Sequence, residues 1–337
     1  MQAAPTRVAP FGSAHGQTVQ RILLQAGDLT VALLTWGAVL QSVRLAGVAH
    51  DLTLGSDRID DYLGAMRHHG SVIGPVANRI SGAQARIAGR LHRFEANQAG
   101  TITLHGGDAG THLKLWSLVA ATADSATLGL TLPDGDGGFP GNRTLAARFE
   151  VAPPATLRLT VTATTDAATL INVANHSYWN LDGSADWSGH ALRIAADRYL
   201  PTTPDFTPTG EIFPTEGTPH DFRTAREITP GAPPLDHCFC LSDARRPLTP
   251  VLWLTGRGGT SLTLATTEPG VQVYDGRAAL RPGHGPYEGL AIEAQFWPDA
   301  PNHPAFPAIT LTPGTPWEQV TEWHFAHNPR VQTAPPA

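Results

Sequence analysis

Apolar and polar positions alternate with a period of two along much of this chain. Leu128, Leu130 and Leu132 form one such run. Leu157, Leu159, Val161 and Ala163, set against Arg158, Thr160, Thr162 and Thr164, form a second, and Leu262 and Leu264 against Ser261 and Thr263 a third. Successive side chains of a strand point to opposite faces, so these runs predict half-buried strands. Turn signals stand between them: PDGDGG at 133 to 138, TPTG at 207 to 210, TEPG at 267 to 270 and RPGHGP at 281 to 286. That chemistry suits antiparallel hairpins and meanders. Helical spacing is confined to Asp57 to Leu63, where Ile59, Tyr62 and Leu63 share one face and predict a connector of one or two turns. The expected fold is all-β, a large antiparallel β-sandwich.

The 34 glycines and 29 prolines punctuate strands instead of gathering into a linker. One domain over residues 1–337 is therefore expected, with an ordered core from about residue 18 to residue 328. Two sandwich modules in tandem are the alternative, because all-β domains often stop near ~250 residues, but no polar linker marks a join. No repeat of fixed period stands out, which argues against a propeller or a β-helix.

Bulk properties narrow the function. The formal charge of −6 and the dispersed arginines leave no basic surplus to neutralise a phosphate backbone, so nucleic acid is not an expected partner. The charge-free stretch Leu29 to Val43 is broken by Thr30, Thr35, Gly37, Gln41 and Ser42 and falls short of the ~18 residues a spanning helix needs. No membrane association is expected. The opening segment MQAAPTRVAPFGSAHGQ lacks a basic start followed by an apolar run, which points to the cytoplasm. Cys238 and Cys240, two apart in HCFCL, would point to the same face of a strand and read as reduced, structural thiols. The single lysine, Lys114, removes the GxxxxGK[ST] phosphate loop.

GxSxG, HExxH and CxxC are all missing, which leaves histidine and carboxylate chemistry. None of the 15 histidines falls in a metal-binding pattern, and the neighbours His68 and His69 would face opposite sides of a strand, so no metal is expected. Four segments place polar side chains among glycines, aromatics and asparagines: GPVANRISG at 74 to 82, TLHGG at 103 to 107, ANHSYWNLDG at 174 to 183 and GLAIEAQFWPDAPNHP at 289 to 304. Aromatic faces stack on the C–H faces of a pyranose while Asn, Arg, His and carboxylates satisfy its hydroxyls, so this mixture fits a sugar cleft.

In order and spacing these segments resemble the aldose 1-epimerase (galactose mutarotase) family. Further matches are DLTLGSDRIDDYL at 51 to 63, PDGDGGFPGN at 133 to 142, YLPTTPDFTPTGEIFPTEGTPHDFR at 199 to 223, LDHCF at 235 to 239 and EPGVQVYDG at 268 to 276. The resemblance implies a galactose mutarotase-like β-sandwich that interconverts the α and β anomers of a free aldose, with no cofactor, as a monomer or weak homodimer. It implies Glu293 of AIEAQ as general base and His176 of NHSYW as general acid. It also implies Asn78 and Arg79 of ANRI, His105 of LHGG, Asp236 of LDH and Gln272 of GVQVY as substrate-binding residues. An ionised base beside a protonated acid calls for a histidine pKa raised by a nearby carboxylate, Asp236 or Glu293 itself.

Each residue also has a plainer reading. Glu293 could face outward from an edge strand, and His176 could be a turn histidine capping a backbone group. His105 before Gly106 and Gly107 could be a structural turn, Arg79 could pair with a surface acid, and Asp236 could cap a turn after Pro233 and Pro234. Trp179 and Phe296 read as core. Two departures from the family pattern bear on sugar preference: Pro75 after Gly74, which removes a donor, and THLKLW at 111 to 116 in place of an FDKRVW-like run. At the level of function, the alternative is a non-catalytic carbohydrate-binding or sugar-sensing protein, and a further one is a glycoside hydrolase or lyase pairing Glu293 with Asp236.

Overall fold

The computed structural model describes residues 7–328. Residues 1–6, the start of the segment in which no secretory pattern was found, lie outside the described residues, as do residues 329–337. Three antiparallel sheets carry most of the strands. The first is a four-stranded meander of Arg7–Ala14, Gln17–Ala26, Leu29–Leu34 and Val39–Leu45. The second has nine strands, and its middle is built from Arg143–Ala152, Thr156–Thr165, Trp317–His327 and Thr260–Thr266. Trp317–His327 pairs with Thr156–Thr165 on one side and Thr260–Thr266 on the other, so this strand joins distant parts of the chain. The third sheet runs in the order Tyr178–Trp179, Leu290–Gln295, Gly270–Tyr274, Asp236–Cys240, Arg198–Tyr199, Phe213–Pro214.

The alternation is realised in the nine-stranded sheet. Leu157, Leu159, Val161 and Ala163 are buried while Arg158, Thr162 and Thr164 are exposed. Leu262 and Leu264 are buried, as are Leu128 and Leu132, but Leu130 is only half-buried. These side chains meet Ile22, Leu24 and Val31 of the meander and Val271, Val273, Leu290 and Ile292 of the six-stranded sheet in one hydrophobic cluster. The fold is a large antiparallel β-sandwich. Burying that many branched and aromatic side chains supplies the main driving force, at about 25 cal/mol per Å² of apolar surface removed from water. Trp179 lies in this cluster and Phe296 in a second one, as their core reading anticipated. Cys238 and Cys240 are buried free thiols on the strand Asp236–Cys240. Among the described residues no helix is long and apolar enough to cross a membrane.

Two local expectations need correction. The connector helix spans Ile59–Leu63, two residues shorter at its start than the pattern suggested. Ile59 and Tyr62 are buried, but Leu63 is 38% exposed, because the single turn ends before a second row of contacts can form. His68 and His69 do not lie on a strand. Residues 64–70 form a succession of turns held by Met66 N–H to the Asp61 carbonyl, His69 N–H to the Met66 carbonyl and Ser71 N–H to the His68 carbonyl. Gly70 closes them at φ +72°, where an added Cβ would come within 2.2 Å of the Leu40 carbonyl oxygen. The tight turn aims both imidazoles at one cleft instead of at opposite faces of a sheet.

Candidate active site

The cleft opens where the six-stranded sheet meets the loops that carry residues 65–69, 78, 98, 105, 206 and 277–279, and it encloses about 390 Å³. Its floor is the strand Leu290–Gln295, flanked on both sides by Tyr178–Trp179 and Gly270–Tyr274, so Glu293 is not on an edge. Every residue of that strand is buried, and Glu293 is 2% exposed. Its Oε1 lies 3.5 Å from Nε2 of His176, while its Oε2 has no hydrogen-bond partner among the described residues. His176 follows the short strand Ala174–Asn175, which pairs with Val72–Ile73. Its backbone is pinned by its own N–H to the Ser71 carbonyl and by Gly70 N–H to its carbonyl. Among the described residues Nδ1 of the ring has no hydrogen-bond partner.

The hydroxyl-binding candidates converge on the same space. Arg79–Ile80 pairs with Thr103–Leu104 and brings Asn78 against His105. Both residues adopt positive φ, +61° and +53°, and they are tied by His105 N–H to the Asn78 carbonyl and Asn78 N–H to His105 Nδ1 at 3.0 Å. The second bond requires an unprotonated Nδ1, so a neutral His105 carries its proton on Nε2. Gly106 lets this loop settle on Pro75, since a Cβ there would lie 2.7 Å from the proline Cδ. Pro75 thus supports the His105 loop from beneath. In the THLKLW segment, His112 packs its ring 5.0 Å from His68, and Lys114 pairs with Asp136.

Arg79 pairs with Asp236 at 3.6 Å, a partly buried acid of the cleft and not a surface one, and its Nε donates to Gln98 Oε1 at 3.0 Å. Asp236 opens a strand and does not cap a turn; its Oδ1 accepts a 2.6 Å bond from Gln272 Nε2. Six of the seven residues implied by the family resemblance line the cleft. Gln272 is the seventh: directly opposite Glu293 in the sheet register, it is directed at Asp236 instead of at the open space. The sequence reading passed over Tyr178, Phe206, Tyr274 and Arg277, which also line it, as do His68 and His69, which it weighed only as metal ligands. For Tyr178 a signal existed, because the alternation that sends Trp179 into the core sends its neighbour to the other face.

Electrostatics departs from the expectation of a raised histidine. Burial lowers His176 to about 4. Burial, reinforced by Asp236 and opposed by Arg79, raises Glu293 well above the usual carboxylate range. Desolvation outweighs the mutual attraction of a charged pair at 3.5 Å, which favours a proton on the carboxyl over one on the imidazole. His68, His105 and His112 are likewise held neutral by burial, with neighbouring imidazoles opposing any added charge. Among the described residues no group of three or more His, Cys, Asp or Glu side chains is placed to hold a metal ion.

A carboxyl and an imidazole 3.5 Å apart, ringed by Asn, Arg, Asp and His donors and acceptors at the floor of an open cleft, can exchange protons with and hydrogen-bond a small polyhydroxylated molecule. The chain belongs to the aldose 1-epimerase family, whose model matches residues 20–324, and it is an isomerase that interconverts the anomers of an aldose. Human galactose mutarotase is 32% identical to it over 346 aligned residues, which cover 96% of this chain and 99% of that protein. Aldose 1-epimerase of Escherichia coli strain K12 is also 32% identical, with 94% of this chain and 98% of that protein covered. Among solved structures, galactose 1-epimerase from Lactobacillus acidophilus matches with a TM-score of 0.85 at 26% identity, covering 96% of this chain and 99% of that one. An aldose epimerase homologue from C. elegans matches with a TM-score of 0.84 at 28% identity, covering 91% and 98%.

Proposed function

We propose that Glu293 is the general base and His176 the general acid of this isomerase, acting on a free aldohexose. Binding of the sugar hydroxyls, with Arg79 nearby, favours the ionised carboxylate and moves the shared proton from Glu293 to His176. Glu293 then takes the proton from the C1 hydroxyl while the C1–O5 bond breaks and His176 protonates O5. Rotation about C1–C2 turns the aldehyde over, and the steps reverse: O5 attacks C1, His176 recovers its proton and Glu293 returns the other to O1. One acid and one base suffice, each contributing ~10²- to 10⁴-fold to a reaction that water already permits.

Asn78, Arg79, His105 and Asp236 bind and orient the hydroxyls in this reading, and Gln272 acts through Asp236. The observation that carries it is the 3.5 Å approach of Glu293 to His176 at the cleft floor. One cooperative unit, a cytoplasmic setting and a monomeric or weakly dimeric state complete the proposal; the two buried free thiols fit a reducing compartment.

Polarimetry of freshly dissolved α-D-galactose and α-D-glucose, with chelator present, tests it. The protein is expected to speed the decay of rotation without changing its end point. Saturable sugar binding with no acceleration on either sugar would overturn the catalytic roles and leave a carbohydrate-binding protein.

A further inference from the structure

A second cavity, of about 720 Å³, shares no lining residue with the cleft. One loop stands between them: Arg277, Ala278 and Ala279 line the cleft, and Arg281, Pro282, His284 and Glu288 line the second cavity. Gln41 lies on its wall. In the pairing of Leu29–Leu34 with Val39–Leu45, Ala32 faces Ser42 and Leu33 faces Leu40, so Gln41 is an extra residue, a β-bulge that re-aims its side chain. Gly55 lets the neighbouring segment lie over this bulge, since an added Cβ would come within 2.0 Å of the Gln41 carbonyl oxygen. Gln41 Nε2 donates to the Ser56 carbonyl at 2.9 Å and to Asp57 Oδ1 at 3.3 Å, which fixes the amide's orientation. Its Oε1 is left with no hydrogen-bond partner among the described residues, although the residue is only 4% exposed. A buried acceptor left open on a cavity wall calls for a donor from outside the chain.

The charges around the cavity say what kind of donor. Glu288 is met by Arg281 and His284, and Asp51 by Arg44, so these groups are spent within the protein. Arg21 is not: among the described residues it forms no ion pair, and its Nε has no hydrogen-bond partner. Asp57 and Asp61 also lack a cation, their side chains accepting from Gln41 and from the Ser56 hydroxyl. An anionic ligand would meet the two open carboxylates, and an ammonium would meet the open guanidinium. A hydroxyl both donates and accepts, so it serves Arg21, Asp57, Asp61 and Gln41 Oε1 alike. No Phe, Tyr or Trp lines the cavity, so a ligand there is held by hydrogen bonds around its rim and not by a stacking face. The volume is far beyond that of a bare ion, and no group of three His, Cys, Asp or Glu side chains is placed to hold one among the described residues.

We propose that this cavity is a second small-molecule site, separate from the cleft, for a neutral polyhydroxylated ligand: a free sugar or a sugar alcohol. Arg21, Gln41, Asp57 and Asp61 bind its hydroxyls. The proposal does not depend on the roles of Glu293 and His176, because none of these four residues reaches the cleft.

Equilibrium dialysis of radiolabelled D-galactose and, separately, galactitol against the wild-type protein, Arg21→Met, Asp61→Asn and the cleft variant Arg79→Met tests it, with polarimetry alongside. The wild-type protein is expected to take up a second equivalent of at least one of the two probes, and the probe that fills it names the source. Arg21→Met and Asp61→Asn should each weaken that equivalent about tenfold and leave kcat on galactose within about twofold, which also shows that the variants fold. Arg79→Met should weaken only the other equivalent. A single equivalent lost in Arg79→Met, or a second one untouched by both cavity variants, would overturn the site. So would displacement of the second equivalent by spermidine or inorganic phosphate at equal concentration, which would mark a site for charge. Should galactose not be isomerised at all, the acid–base assignment fails, and the equivalent sensitive to Arg21 still decides this proposal.

Discussion

The strands Thr156–Thr165 and Leu290–Gln295 obey different rules. In the first, each apolar residue goes inward and each polar one is exposed or half-buried, so its sequence spells its environment. In the second, all six residues are buried, and Glu293 and Gln295 are enclosed with them. The first strand uses its pattern to build the core, and its polar face needs only water. The second uses the same pleat to hold an acid where water is scarce, at a cost in desolvation that shows as the raised pKa of Glu293. Stability resides in strands whose pattern is regular, and the proposed chemistry where the pattern is broken on one face.

Paired substitutions break this comparison most sharply. Glu293→Gln is expected to lower kcat about 10²- to 10⁴-fold, by polarimetry, with sugar binding and urea midpoint retained. Leu157→Ala, a fully buried side chain of the regular sheet, is expected to lose about 2–5 kcal/mol in urea denaturation while its folded fraction keeps its kcat. A Glu293→Gln variant of near-normal activity would remove that residue from its role. A Leu157→Ala variant of normal stability would show that the sheets do not share one core.

The pH profile sharpens the contrast, since Thr156–Thr165 has no buried titrating group and Leu290–Gln295 has one. Burial raises Glu293 and lowers His176 to about 4, which places the proton they share on the carboxyl. Below pH about 4 the imidazole takes a second proton while the carboxyl keeps its own, and the base is lost. At high pH the shared proton leaves, and the acid is lost. Activity (kcat/KM) should therefore fall on both sides of a maximum, with the acid limb near 4. Loss of activity near pH 6.5, an ordinary histidine value, would show that the pair does not share a proton in this way.

How much of this the sequence made legible follows the same division. Alternation at 157 to 164 and 262 to 264 gave the sandwich, and turn residues gave its loops, because burial and backbone freedom are local demands. The candidate site was legible only through motif resemblance: nothing in the spacing of Asn78, His105, Asp236 and Glu293 says that they meet. The direction of the His176 shift was missed because the attraction of a carboxylate can be argued from residue types, whereas the desolvation that overrides it depends on burial. The cleft positions of Phe206 and His68 were missed because their aim is set by turns, Thr202–Pro208 and residues 64–70, whose geometry the alternation does not encode.

Gln272 is the smallest and most discriminating case. It lies on the strand beside Glu293, is 3% exposed, and makes its side-chain bond to Asp236 instead of lining the cleft. That bond works against the burial that raises the Asp236 pKa, alongside the charge of Arg79. Replacing Gln272 by Leu keeps the volume but removes the donor, so the Asp236 pKa should rise further and its grip on a sugar hydroxyl weaken. A hydrogen bond to a charged group is worth about 1.5–3 kcal/mol; with Arg79 still in place the lower end applies, and KM should rise about tenfold with kcat within about threefold. A direct role for Gln272 in proton transfer would lower kcat instead, and a purely structural role would shift the urea midpoint and leave KM alone. The KM-against-kcat split, measured beside the denaturation curve, separates the three.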